Sequence, residues 1–380
     1  MQSTIRIFSQ LLSFVPRHLF HKLSQEHKPL RTPRTFSQWD HFIHLLHIQL
    51  AGCKSLRNGV MSMKAHITRL YHLGTKPVAR STFADANNSR PYTFYEALFG
   101  ELFTRCRPKA PGHKFSFKNT LYSLDASVID LCLKLFPWAD FRSSKAGVKL
   151  HALLDHNGDL PAMVNVTVAK QHEITVAKKM ELPPGSIVVF DRGYNDYGWF
   201  KDLTKKGVFF VTRIKAKATF KILERNQVDK TTGVTSDQFI QFGEGEKAQV
   251  LRLVGYRDAK TNRHFVYITN HMTLPARTIA DIYKARWEIE IFFRFIKQNL
   301  KIKRFVGNSK NAVLSQIYVA LIACLLLAFQ KFMSKTTLSI QDLTRLIQSN
   351  LFHGTEILEY ALSSQQSKNK CSFSMLQLSC

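Results

Sequence analysis

Apolar positions change their spacing three times along the chain. Residues 1 to about 110 mix aromatic, aliphatic and basic residues at helical spacing, as in WDHFIHLLHIQLAG (39–52), which predicts a helical region. Short apolar runs broken by turns follow: LYSLDASVI (121–129), VKLHALLD (148–155), PAMVNVTVA (161–169), SIVVFD (186–191) and VFFVTRI (208–214). These read as strands, and the turn His156-Asn157-Gly158-Asp159 joins the second and third as a hairpin. A polar, β-leaning stretch spans about 216–275, then a helical segment at about 277–300 and an apolar helix at 312–333. Strands interleaved with outer helices predict a mixed α/β sheet.

The longest apolar run, Ile317 to Phe329, has 13 residues. A membrane span needs about 20, so this run reads as a buried helix and no membrane partner is expected. The tail from Ser363 is low in complexity and reads as frayed. No internal repeat is evident.

Charge narrows the partner. The chain carries 54 Lys+Arg against 27 Asp+Glu, a formal charge of +27. Such an excess opposes compaction unless a polyanion is present, so it points to nucleic acid without naming the chemistry. Six scattered cysteines without a C-x-x-C pair give neither a zinc site nor a disulfide framework, which fits a reducing compartment. The first 25 residues lack acids and have no secretory apolar core, so they read as a basic helical start and not as a targeting segment.

Two carboxylates sit where they are expensive. Asp125 interrupts the run LYSLDASVI, and Asp191 ends SIVVFD before Arg192-Gly193-Tyr194. A carboxylate in or at the end of a buried strand needs a partner or a metal. On adjacent strands the two would meet at one point and invite a divalent cation such as Mg²⁺. The bland alternative is that each Asp caps a turn, and Asp140, Asp155, Asp159 and Asp196 compete for the same role.

The helix TIADIYKARWEIEIFFRFIKQNLKIKRF (278–305) supplies a third carboxylate. At about 100° per residue, Tyr283, Arg286, Glu290 and Lys297 fall within an arc of roughly 60°. The apolar remainder, including Phe292, Phe293 and Phe295, reads as core. A polar stripe on so apolar a helix lines a cavity or a ligand, or else is an Arg286–Glu290 ion pair on a solvated face.

The spacing Y-x2-R-x3-E-x6-K, matched by Tyr283, Arg286, Glu290 and Lys297, resembles the hallmark of insertion-sequence-four family transposases of the Y-R-E-K subgroup. Asp125-Ala126-Ser127 and Asp191-Arg192-Gly193-Tyr194 resemble the family's two Asp blocks, in the same order. QLLSFVPRHLF, FSQWDHFIHLLHIQLAGCKSLR and ARSTFADANNSRPY resemble its N-terminal region, so the likeness covers roughly residues 8–335.

The resemblance implies a ribonuclease-H-like α/β core at 113–335 with a β-rich insertion at about 216–275. An all-α DNA-binding region at 1–112 precedes it, and a helical or frayed tail at 336–380 follows. It implies Asp125, Asp191 and Glu290 as the catalytic and metal-binding triad for two Mg²⁺ ions, with Mn²⁺ as an alternative. Tyr283, Arg286 and Lys297 would grip phosphates near the cut, Arg in bidentate fashion and Lys as a point charge. The implied activity is DNA cleavage and strand transfer at insertion-sequence ends. The partners would be double-stranded element ends and target DNA, with a homodimer in the complex, in a prokaryotic cytoplasm. An inactive DNA-binding relic and a structure-selective nuclease of the same fold remain as alternatives.

Related enzymes stack a flipped base on an insertion-domain tryptophan. Trp39, Trp138, Trp199 and Trp287 all lie outside 216–275. Base flipping is therefore either absent or uses Phe220, Phe239, Phe242 or Tyr256.

In the N-terminal region, Thr82-Phe83-Ala84-Asp85 has capping-box form. A helix-turn-helix with its second helix near 82–90 would present Arg80, Ser81, Thr82, Asn87, Asn88 and Arg90 to DNA. Arg213 and Lys215 after a strand, and Arg192 after Asp191, are further phosphate candidates. His151 and His172 read as ordinary core or surface histidines.

Overall fold

The computed structural model describes residues 6–29, 35–142, 145–215, 217–243, 248–300, 302 and 304–354. The tail from Ser363 lies outside the described residues. Two compact units share the chain: Met1–Pro111, Ile129–Ala146 and Arg294–Cys380 in one, and Gly112–Val128 with Gly147–Phe293 in the other.

The first unit is helical. It holds α1 (Ile7–Ser13), α2 (Arg17–Glu26), α3 (Gln38–Leu50), α4 (Leu56–Ala65), α5 (Arg80–Ser89) and α6 (Thr93–Cys106). The later helices α11 (Lys310–Ser334) and α12 (Ile340–Asn350) complete it. α11 extends well past its apolar run and is long and apolar enough to cross a membrane, yet it is almost wholly buried inside this unit. It packs against α3, α5 and α6, with Phe14 stacked on Phe329 at 3.8 Å. Residues 310–334, expected with the catalytic core, thus pack among the N-terminal helices. Ser37 and Asp40 close a capping box that starts α3.

The second unit is built on one sheet. Its strands are β1 (Leu121–Leu131, to Val128 in this unit), β3 (Lys145–Asp155, from Gly147), β4 (Leu160–Val168), β5 (Ile187–Phe190) and β6 (Phe209–Arg213). The short β2 (Asp140–Arg142) pairs with the start of β3 in the helical unit. β7 (Phe220–Arg225), β8 (Val234–Phe242), β9 (Gln249–Arg257) and β10 (His264–Thr269) form the insertion. The order runs β3-β1-β5-β6-β10-β9-β8-β7, with β4 on β3 as the expected hairpin. β1, β5 and β6 are parallel, and β10 returns antiparallel on β6. This is a ribonuclease-H-like core continued by an antiparallel meander.

Ile187, Val188, Val189 and Phe190 are fully buried, as expected for a parallel strand covered on both faces. α7 (Glu173–Ala177) and α8 (Tyr197–Lys205) lie on one side, where Trp199, Phe200 and Leu203 meet Phe190 and Phe210. α9 (Ala276–Ala285) covers the other, with Ile279 and Ile282 against Ile187, Val189 and Val211. Each such side chain contributes roughly 1.5–3 kcal/mol on burial. α10 (Trp287–Gln298) follows α9.

The single helix expected over 278–305 is two helices broken at Arg286. The amide of Arg286 donates to the Tyr283 carbonyl, and that of Ile289 to the Arg286 carbonyl, both at 3.2 Å. These i→i+3 bonds tighten the turn and shift the angular phase of α10 relative to α9.

Candidate active site

The parallel register puts Leu124 beside Phe190, so the next residues, Asp125 and Asp191, stand side by side where β5 ends. The adjacency inferred from their strands is thereby present. Asp191 accepts from the Tyr283 hydroxyl at 3.0 Å and from Arg213 Nη2 at 3.2 Å. Arg286 reaches two carboxylates at once: Nη1 donates to Asp125 Oδ2 at 3.4 Å and Nη2 to Glu290 Oε1 at 2.7 Å. Arg286 also lies over the Tyr283 ring at 5.8 Å, which joins Tyr283, Arg286 and all three carboxylates into one cluster.

The environments of the two aspartates differ. Burial pushes the Asp125 carboxyl up to about 6, against the pull of the Ala126 amide and Arg286, with Glu173 and Glu290 adding to the rise. Burial also acts on Asp191, but the Arg192 amide, Tyr283 and Arg213 overcome it and hold this carboxyl below its usual range.

Two residues escaped the sequence reading. Glu173, on α7, adds negative charge beside Asp125 and pairs with Lys149 at 3.2 Å. The buried Tyr194 hydroxyl feels Asp125, Glu173, Asp191 and Arg286 yet has no hydrogen-bond partner among the described residues. Its place in Asp-Arg-Gly-Tyr was visible, but the inward direction of its hydroxyl depends on the 3₁₀ turn at Arg192–Tyr194.

A divalent cation fits this chemistry. The donors are carboxylate oxygens, which suit a hard cation, and an orphaned hydroxyl together with an undercompensated carboxylate leaves polar capacity to fill. Among the described residues no three acidic, His or Cys groups form a ready-made cage, because Arg286 stands between Asp125 and Glu290.

The other candidates separate cleanly. Arg192 is exposed, and its main-chain amide is what touches Asp191. Lys297 is half-buried two turns beyond Glu290 along α10, past the boundary of this unit. Lys215 donates to the Asn195 carbonyl. His151 is buried against Thr167, and His172 is exposed at the start of α7. Asp196 caps α8 and pairs with Lys178, Asp155 caps the turn at Asn157, and Asp159 lies by His156. The side chain of Asp140 is outside the described residues. Among the surfaces considered for base stacking, Phe242 is committed to a stack on Tyr197 at 4.0 Å, and Tyr256 lies under Arg277. Phe220 and Phe239 are partly exposed, whereas Trp287 is 51% exposed.

The N-terminal expectations need correction. α5 starts at Arg80 with no side-chain cap, so Thr82 lies within the first turn and the Thr82–Asp85 capping box does not form. Asn87 and Arg90 are each only 2% exposed. Asn87 bonds His41 at 2.7 Å, and Arg90 donates to the carbonyls of Phe36 and Ser37. Both side chains are buried and bonded inside the helical unit. Arg80, Ser81 and Asn88 are exposed, and Thr82 is partly so.

With this geometry in view, comparison with known proteins is decisive. A family model described as a transposase DDE domain matches residues 116–326, a span that includes Asp125, Asp191 and Glu290. The chain belongs to the DDE transposase family. A second model, a domain of unknown function (DUF4372), matches residues 3–76. A putative transposase, y4zB, of Sinorhizobium fredii is 31% identical over 281 residues, covering 72% of this chain and 78% of the relative. A probable transposase for insertion sequence element IS5377 of Geobacillus stearothermophilus is 28% identical, covering 77% and 76%. A putative transposase for insertion sequence element IS4SA of Synechocystis is 25% identical, covering 76% and 82%. The function is that of a transposase. DDE transposases bind DNA, cut and transfer nucleic-acid strands, and generally use divalent metal ions.

Proposed function

We propose that this transposase cleaves DNA at the ends of an insertion sequence and transfers the freed strand to a target. The observation that carries the reading is the cluster itself, in which parallel register aligns Asp125 with Asp191 and Arg286 ties Glu290 to Asp125. Asp125, Asp191 and Glu290 would hold two Mg²⁺ ions, with Mn²⁺ as a substitute. When bound, the ions lower the barrier to in-line displacement at phosphorus by activating the attacking oxygen and stabilising the leaving one.

The chain's own groups do the rest. Tyr283 and Arg213 orient Asp191 and keep it ionised. Arg286 holds Glu290 and brings positive charge to where a phosphate must sit, and Arg192 extends that charge. In the first step water adds to phosphorus as the P–O3′ bond breaks, leaving a 3′-hydroxyl. In the second, that 3′-hydroxyl attacks a target phosphorus, and a new P–O3′ bond forms as the target's own P–O3′ bond breaks and its 3′-oxygen leaves with the proton. Arg80 and Ser81, with the partly exposed Thr82, offer donors on α5 for duplex contact, and pairing two element ends favours a homodimer in a prokaryotic cytoplasm.

The alternative of a DNA-binding relic draws support from Arg286 standing among the carboxylates. The test is Mg²⁺-dependent processing of a labelled duplex carrying the DNA that flanks this gene, with Glu290→Gln alongside. Cleavage to a free 3′-hydroxyl or a hairpin, lost in the variant, is expected, and joined products separate a transposase from a nuclease. DNA that is shifted but uncut by both proteins would establish the relic.

A further inference from the structure

The insertion contains a cleft of about 510 Å³ between the turn before β8, the end of β9 and the start of α9. Lys230, Arg257 and Arg277 line it beside the hydroxyl side chains of Thr231 and Thr235, and no carboxylate is in the lining. We propose that this cleft binds the phosphate backbone of duplex DNA, at a site separate from the catalytic carboxylates.

The cationic wall is preorganised. Arg277 is fixed by Asp281 at 3.0 Å, by the Thr232 carbonyl at 2.6 Å and by stacking over the Tyr256 ring at 5.1 Å. The nearby acids are engaged elsewhere: Asp229 and Asp258 each cap a turn, and Asp281 pairs with Arg277. Lys230 and Arg257 are exposed, which leaves two cationic side chains for an anion. The floor is tight. Gly233 has φ +85°, and a Cβ there would lie 2.9 Å from the Tyr256 ring, so backbone closes the cleft where a side chain would fill it.

Position supports a DNA strand over a small anion. Tyr256 also lines a neighbouring cleft of about 290 Å³, and that cleft reaches Tyr283, Arg286 and Trp287. The two clefts share Tyr256, so a backbone resting against Lys230 and Arg257 has its next concave surface on the side of Tyr283 and Arg286, where Asp258 and Asp281 are held by the turn and by Arg277. This rests on the reading that the chain handles DNA.

The measurement is the salt dependence of binding to a 25-bp duplex of arbitrary sequence, without metal, by fluorescence anisotropy. Two lost phosphate contacts flatten the slope of log K against log salt by about 1.8 and weaken binding roughly ten- to hundredfold near 0.1 M salt. That result is expected for Lys230→Ala/Arg257→Ala and not for Lys179→Ala/Lys205→Ala, an equal charge change on other exposed lysines. Equal slopes for wild type and the cleft variant, or equal flattening in both variants, overturn the proposal while leaving cleavage intact. A wild-type protein that binds no duplex overturns the DNA reading as well.

Discussion

Asp125 and Asp191 are neighbours on paired parallel strands, yet their surroundings drive their proton affinities apart. Asp191 has three hydrogen-bond donors, whereas among the described residues Asp125 has its own neighbour's amide and a long contact to Arg286. One carboxylate is settled, and the other is held at some expense to the fold.

That imbalance predicts a stabilising substitution. With Asp125 raised to about 6 in the folded protein, its ionisation opposes folding increasingly as pH rises from the unfolded value near 3.9 to about 6. Asp125→Asn should abolish cleavage yet raise the melting temperature at pH 7.5 in EDTA, through a gain in stability of at most about 3 kcal/mol. The gain should vanish below pH 4. Asp191→Asn should instead lower stability at neutral pH, since its folded pKa is depressed. Equal melting shifts for the two variants would contradict this account.

Tyr283→Phe removes one donor from Asp191. Cleavage should fall roughly tenfold, the scale of a hydrogen bond to a charged group. The melting temperature should fall at neutral pH and recover toward that of the parent below about pH 4, because Asp191 loses part of what keeps it ionised. DNA affinity should change little. A rate loss with no such pH-dependent change in stability would rule out this positioning role.

Arg90 and Arg80 should behave oppositely. Arg90→Ala leaves the Phe36 and Ser37 carbonyls without their donor inside the helical unit, which costs about 1–3 kcal/mol. Arg80→Ala at an exposed helix start should stay within about 0.5 kcal/mol while weakening duplex binding. Thermal melts and anisotropy titrations of the pair decide it.

The helical unit should also be acid-labile. Burial pushes His41 and His47 each down to about 3, with Arg90 adding to the effect at His41. Their folded pKa values lie below the unfolded value near 6.5, so stability is full above that pH and is lost as pH falls toward 3. At pH 5 each removes about 2 kcal/mol. A melting temperature unchanged between pH 7.5 and 5 would refute this.

Strands with unbroken apolar runs were legible because few other structures bury Ile187 to Phe190 on both faces. The carboxylates were legible for the complementary reason, a charge where burial is expected. The break at Arg286 was not, because TIADIYKARWEIEI contains no glycine or proline to mark it, and the tightened turn depends on the groups the guanidinium touches. Asn87 and Arg90 misled because their residue types suit DNA, and only the packing around His41 and Phe36 shows where their polar atoms are used. Arg213 suits a phosphate by residue type, and only the fold shows it bonded to Asp191.

β6 leaves the core and β10 returns against it, with Arg213 opposite Tyr267 and Thr212 opposite Ile268. The meander between them therefore starts and ends on adjacent strands, about 5 Å apart. Segments anchored this way can lengthen, shorten or be exchanged without pulling on Asp191 or moving Glu290. The chemistry of cutting and the phosphate-binding surface proposed for the insertion are thus free to change at different rates over evolutionary time.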